Sequence, residues 1–281
     1  MFTADLLQDK VVLITGGGSG LGLSMARRFL ELGARVAITG RSEDRLAEAE
    51  QELNAAPDQL FTQACDVRDP ASVESLVESA WQVFGHIDVT VNNAAGNFLA
   101  ATEELSPNAF DAVVGIVLYG TFNVTTAVGR RMIAQKTPGS MLNILTTYAW
   151  TGSAFVVPSA AAKAGVLAMT RSLAVEWAAY NIRLNAIAPG PFPTEGAWTR
   201  LLPSPELEAE SLARIPLGRF GRHEELTNLA AFLISDAAPY INGECVTIDG
   251  GAWLASGGLF NGLTRQPRER IKDALRRFRR K

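Results

Sequence analysis

Apolar positions along the chain follow two rhythms that take turns. Residues 10–15, KVVLIT, are a short β-branched run bounded by glycines, which predicts a buried strand. From Leu21 to Leu32 the apolar residues recur at helical spacing and stop at Gly33, a helix-ending signal. ARVAIT (34–39) predicts a second strand and Arg45–Leu53 a second helix. The alternation continues through LFTQACD (60–66), a helix around Val73–Phe84, and IDVTVNN (87–93). MLNILT (141–146), IRLNAIA (182–188) and ECVTID (244–249) complete the strands. Such spacing implies parallel strands, right-handed crossovers and helices on both faces. The expected fold is α/β: one doubly wound, Rossmann-type domain with a mostly parallel central sheet. It spans residues 1–264, substrate site included, and a basic helical tail, 265–281, follows.

Composition agrees with a globular chain: 281 residues, 47% hydrophobic and 20% charged. No run approaches eighteen apolar residues, so no membrane span is expected. The start, MFTADLLQDK, has neither signal-peptide nor transit-peptide layout, and the ending FRRK is not a peroxisomal address. A cytoplasmic protein is the expectation. Cys65 and Cys245 stand far apart without metal-binding neighbours, and His86 and His223 are isolated, so reduced thiols and no metal are expected.

Charge changes the picture only at the end. The net charge is −3, yet RQPRERIKDALRRFRRK (265–281) carries nine basic and two acidic residues. Ile271, Leu275 and Phe278 share one helical face there. The tail can dock on its own protein or a neighbouring subunit, or meet an anionic ligand or surface. One terminal patch does not indicate nucleic acid.

The first candidate chemistry is TGGGSGLG (15–22), between the first strand and the first helix. Glycines at 16, 20 and 22 give G-x-x-x-G-x-G, a relative of the dinucleotide fingerprint. Gly16, Gly18, Ser19, Gly20 and Leu21 are therefore expected to cradle a pyrophosphate at a helix N-terminus. The second strand ends in TGRSEDR, with Gly40 and Arg41 where an NAD site wants an acid. An arginine suits a ribose 2′-phosphate, so NADPH is the expected cofactor; a solvated surface arginine is the alternative.

With CDV (65–67), NNAAG (92–96), SAAAK (159–163) and NAIAPGP (185–191), the chain resembles the short-chain dehydrogenase/reductase family over nearly its whole length. Most of that family uses a Ser, Tyr and Lys set with a helix Asn. Here those positions hold Thr146, Ser159, Lys163 and Val117. A serine hydroxyl is a far weaker acid than a phenol, so ordinary ketone reduction is not expected. The same departures are shared by the 2,4-dienoyl-CoA reductase branch. NNAAGNF (92–98), ELSPNAF (104–110), GPFPTEGAWTRL (190–201), RIPLGR (214–219) and LFN (259–261) resemble that branch too.

The resemblance implies NADPH-dependent reduction of 2,4-dienoyl-CoA to 3-enoyl-CoA, an auxiliary step of unsaturated fatty acid β-oxidation. Tyr148 and Asn97 would act on the thioester, with Lys163 on the nicotinamide ribose and Ser159 lining the pocket or capping its helix. Asp66 is implied near adenine. Asn93 and the turn Pro189, Gly190, Pro191 and Phe192 are also implied cofactor contacts. Arg41, Arg68, Phe98, Ser106 and Arg200 are implied acyl-CoA contacts, and a homotetramer is implied. Elimination points the same way for Tyr148. Of the tyrosines at 119, 148, 180 and 240, it alone follows a strand at the sheet's ligand-binding edge. A reductase for another acyl-CoA thioester, or a silent NADPH-binding scaffold, is the alternative reading.

Overall fold

The computed structural model describes residues 3–194 and 204–278. Seven strands form one sheet: β1 (Val11–Thr15), β2 (Arg35–Gly40), β3 (Leu60–Ala64), β4 (Val89–Asn92), β5 (Gly139–Ile144), β6 (Ile182–Pro189) and β7 (Cys245–Ile248). Their spatial order is β3-β2-β1-β4-β5-β6-β7, and every neighbouring pair is parallel. The order reverses between β1 and β4, so a crevice opens at their carboxyl ends, where Thr15 pairs with Asn92.

The period of two decides which side chains go where. Val12 and Ile14 enter one layer of the core with Met25 and Phe29 of α1 (Gly20–Glu31) and Leu226 and Ala230 of α9 (His223–Ile234). Val11 and Leu13 enter the opposite layer with Leu76 and Val77 of α3 (Pro70–Phe84) and Val124 and Val128 of α5 (Gly120–Gln135). Because both faces are covered, β1 is buried at all five positions, and the sequence shows an unbroken apolar run. Burial on this scale, at about 25 cal/mol per Å² of apolar surface, is what drives the layers together.

The remaining helices are α2 (Glu43–Leu53), α4 (Pro107–Val114), α6 (Tyr148–Thr151), α7 (Val157–Glu176), α8 (Pro205–Ala213), α10 (Ala252–Gly257) and α11 (Arg268–Phe278). Helix α2 starts two residues before the predicted Arg45, because the Ser42 hydroxyl accepts from the Arg45 amide at 3.3 Å and caps it. A π-turn, Gly115–Tyr119, joins α4 to α5 without breaking the helix. The resulting 29-residue run Pro107–Gln135 is long and apolar enough to cross a membrane, but half of its most apolar window is buried inside this protein. Helix α11 is the predicted basic tail. Its ion pairs lie within the helix itself, Lys272 with Glu269 and Arg276 with Asp273. Both cysteines are buried and unpaired, and burial pushes the Cys245 thiol up to about 12, away from the reactive thiolate.

Candidate active site

The glycine loop lies at the carboxyl end of β1. Gly16 and Gly20 hold φ of 65° and 55°, which side chains rarely adopt. A Cβ on Gly22 would sit 2.2 Å from the Gly16 carbonyl oxygen, so the loop closes on its own helix only with glycine there. Ser19 takes the N-cap position of α1 in extended conformation but makes no side-chain cap bond, and no acid stands in the first turn. The end of α1, with Gly18, Gly20 and Leu21 around it, thus keeps amide donors for an outside anion.

Asn93 stands beneath this loop. Its amide donates to the Thr15 and Gly16 carbonyls, both at 3.1 Å, so both of its hydrogens hold the loop in place. The implied cofactor contact of Asn93 then falls to its other polar atoms. Next to it, Asn92 is buried and donates to Thr125 Oγ1 at 3.0 Å and to Asn143 Oδ1 at 2.9 Å. Asn143 in turn donates to Thr170 Oγ1 at 2.8 Å. This polar chain ties α5, β4, β5 and α7 into one frame under the site. The sequence shows those residues only as polar breaks in strands and helices.

At the end of β2, Arg41 is exposed and makes no hydrogen bond or ion pair among the described residues. Asp66 and Arg68, assigned separately to adenine and to acyl-CoA, are joined. Arg68 Nε donates to the two Asp66 oxygens at 2.9 and 3.0 Å. The Arg68 bond is the main reason the Asp66 carboxyl is held below the usual carboxylate range. The two implied contacts thus share one ion-paired cluster. Ser106 is likewise engaged, as the N-cap of α4, accepting from the Ala109 amide at 3.2 Å. Phe98 is an exposed ring beside Asn97, and Arg200 lies outside the described residues.

The reactive groups converge from three elements at the carboxyl edge. Tyr148 opens the single-turn α6 after β5, and its hydroxyl receives a bond from Asn97 Nδ2 at 3.3 Å. Asn97 cannot turn its amide round, because its Oδ1 accepts from the Phe98 amide at 2.9 Å. Ser159 lies inside the first turn of α7 and is buried, with Oγ 2.9 Å from the Tyr148 hydroxyl. The N-cap of α7 is Val156, so the capping role weighed for Ser159 is not the one it takes. One helical turn on, Lys163 is buried and donates to the Ile144 carbonyl. Burial pushes its ammonium down to about 8. The Thr146 hydroxyl is buried without a partner among the described residues.

These features fit a dinucleotide with a polar reacting partner. Pyrophosphate would meet the end of α1, ribose hydroxyls the two remaining Lys163 N–H groups, and a ligand oxygen the orphaned Thr146 hydroxyl. At the opposite, amino-terminal edge a second cavity is lined by Lys10, Asp88, Arg183, Asp236 and Tyr240. Its charges are already satisfied: Lys10 pairs with Asp236, and Arg183 donates to the carbonyls of Leu233, Ser235 and Ile241.

A family model described as enoyl-(acyl carrier protein) reductase matches residues 16–252. A Bacillus subtilis protein named as a probable 2,4-dienoyl-CoA reductase producing (2E)-enoyl-CoA is 48% identical over 88% of this chain and 98% of its own. A Caenorhabditis elegans protein named as a probable 2,4-dienoyl-CoA reductase producing (3E)-enoyl-CoA is 46% identical, over 87% of this chain and 81% of its own. Among solved structures, a short-chain dehydrogenase from Bacillus anthracis shares 47% identity with a TM-score of 0.80, covering 86% of this chain and 96% of its own. Glycine loop, parallel sheet and relatives agree: the chain belongs to the short-chain dehydrogenase/reductase family, oxidoreductases that work with a nicotinamide dinucleotide.

Proposed function

We propose that the chain reduces 2,4-dienoyl-CoA thioesters with NADPH, giving 3-enoyl-CoA. The observation that carries this is the Tyr148 hydroxyl held between Asn97 and Ser159. Ser159 occupies the position where most of the family has its acid, and its hydroxyl touches a phenol brought in from α6. The names of the relatives support the substrate class.

When bound, the reduced nicotinamide supplies a hydride to C5 of the conjugated chain. The C4–C5 π pair then moves to C3–C4, the C2–C3 pair to C1–C2, and the charge reaches the thioester oxygen. Tyr148 and Asn97 are two donors aimed at that oxygen, the arrangement that stabilises a developing enolate. Asn97 Nδ2 keeps a second hydrogen for the substrate after serving Tyr148. Tyr148 then gives its proton to C2; the carbonyl re-forms and the C3–C4 double bond remains. A phenol bound at the carbonyl oxygen stands near C2 and several bonds from C4, which favours the 3-enoyl product. As Tyr148 loses its proton, Asn97 and Ser159 remain to hold the charge on its oxygen. Lys163 would hold the nicotinamide ribose and keep a positive charge under the site.

Transfer from 4-deuterated NADPH to 2,4-hexadienoyl-CoA, followed by mass spectrometry, tests this directly. Deuterium is expected at C5, and a parallel reaction in D2O is expected to label C2. Label at C4 would mean that the proton enters remotely and the 2-enoyl product forms, as in the name of the Bacillus relative. No turnover by folded protein would remove the dienoyl assignment.

NADPH over NADH rests on Arg41, whose guanidinium is unpaired among the described residues and stands where the 2′-phosphate is expected. A charge-assisted contact is worth about 1.5–3 kcal/mol, or about 10- to 100-fold. Arg41→Ala is therefore expected to raise the KM for NADPH by about 10- to 100-fold and leave that for NADH nearly unchanged. Equal changes for both cofactors would move the 2′-phosphate elsewhere.

A further inference from the structure

The segment Pro189, Gly190, Pro191, Phe192, Pro193, Thr194 lacks three backbone N–H groups, because prolines alternate along it. A turn so poor in donors keeps its Gly190 amide on the Ile248 carbonyl at 2.9 Å, and further fixing comes through its carbonyls, by donors from elsewhere. Two such donors are present. The Gly221 amide donates to the Pro191 carbonyl at 3.1 Å, and His223 Nε2 lies 2.6 Å from the Pro193 carbonyl oxygen. A carbonyl can only accept, so Nε2 carries the hydrogen. The other ring nitrogen, Nδ1, is 2.7 Å from Ser24 Oγ, one turn into α1. The single Ser24 hydroxyl hydrogen is shared between Nδ1 and the Gly20 carbonyl oxygen, 3.0 Å away within the glycine loop. On the far side of the same junction, a Cβ on Gly20 would lie 3.5 Å from Thr194. Half-buried His223 therefore bridges the proline-rich turn and the first turn of α1, across 30 residues of sequence to one and 199 to the other.

We infer that His223 is a positioning residue that locks the Pro189–Thr194 turn onto the glycine loop, so that both walls of the cofactor site are held as one unit. The inference rests on the proposal that this turn and loop bind the nicotinamide cofactor. Its effect falls on cofactor affinity: without the bridge, the two walls must be brought into register by the cofactor itself. In this bridge the His223 ring uses one donor, Nε2–H, and one acceptor, Nδ1, and a glutamine amide offers the same pair in a side chain of similar reach.

NADPH titrations followed by nucleotide fluorescence, with melting temperatures, compare wild type, His223→Leu, His223→Gln and Ser24→Ala. His223→Leu is expected to raise the NADPH Kd about tenfold, the value of one to two neutral hydrogen bonds. His223→Gln is expected to stay within about threefold of wild type. Ser24→Ala, which cuts the bridge at its other end, is expected to fall between, and serves if His223→Leu does not fold. The KM for 2,4-hexadienoyl-CoA at saturating NADPH should stay within about twofold. An unchanged Kd in both His223→Leu and Ser24→Ala overturns the inference. Equal losses of affinity in the Leu and Gln variants also overturn it, since packing alone would then explain them. A folded wild type that binds neither NADPH nor NADH would overturn the cofactor proposal, and the inference with it.

Discussion

Tyr148→Phe is expected to lower kcat for a 2,4-dienoyl-CoA by at least about 100-fold while the NADPH Kd stays within about twofold. Loss of one donor to a developing oxyanion costs about 100- to 1000-fold, and loss of a positioned general acid costs about as much again. The cofactor surfaces do not include the phenol oxygen, whose neighbours are Asn97 Nδ2 and Ser159 Oγ. Asn97 and Tyr148 are only partly buried, so water can reach the space of the lost hydroxyl and serve the buried Ser159, and stability should change by about 1 kcal/mol or less. Asn97→Ala should behave as a milder version, since it removes one donor and leaves the acid. Two outcomes would count against Tyr148 as the acid: a Phe variant within tenfold of wild type, or one whose NADPH affinity falls along with its rate. The silent-scaffold alternative predicts the first of these, so this variant separates the two readings.

The sheet was legible because both of its faces are buried, which turns a strand such as 10–15 into an unbroken β-branched run. Gly33 marked the end of α1 for the same local reason: it takes a φ of 88°. Asn97 and Tyr148 came from resemblance and not from periodicity, and the structure brings them together across 51 residues. What failed to show in the sequence is which side chains bind each other. Asp66 and Arg68 read as two separate contacts, and only the structure shows their side chains bound to each other. Ser106 resembles a substrate contact, and it also begins a helix with Pro next to it, its oxygen accepting the cap bond from the Ala109 amide. His223 looks isolated because both its partners are remote, and no local pattern announces a side chain whose work lies between two segments.

Lys163→Met is expected to separate stability from activity. The ammonium is enclosed, with a single carbonyl partner among the described residues, and burial brings it from 10.5 to about 8. Its folded value is below its unfolded one, so the charged form is disfavoured by folding. The penalty is fully present below pH 8 and is relieved as pH rises from about 8 towards 10.5. Two to three pH units correspond to about 3 kcal/mol, of which the lost bond to Ile144 returns about 1 kcal/mol. Methionine, of similar length and uncharged, should therefore melt no lower than wild type at pH 7, and by this balance about 2–8 °C higher. Activity should move the other way. The ammonium is the acid form, so wild-type kcat/KM is expected to fall as pH rises through about 8. The Met variant should lose that limb and about 100-fold or more in rate at pH 7. If the variant melts well below wild type, then contacts around the ammonium outweigh its desolvation and Lys163 is part of the scaffold. If it melts higher and the limb persists, a different group titrates near pH 8. Only a more stable and slower protein with a flat alkaline profile fits a lysine kept buried, at a cost to the fold, for the charge it brings to the site.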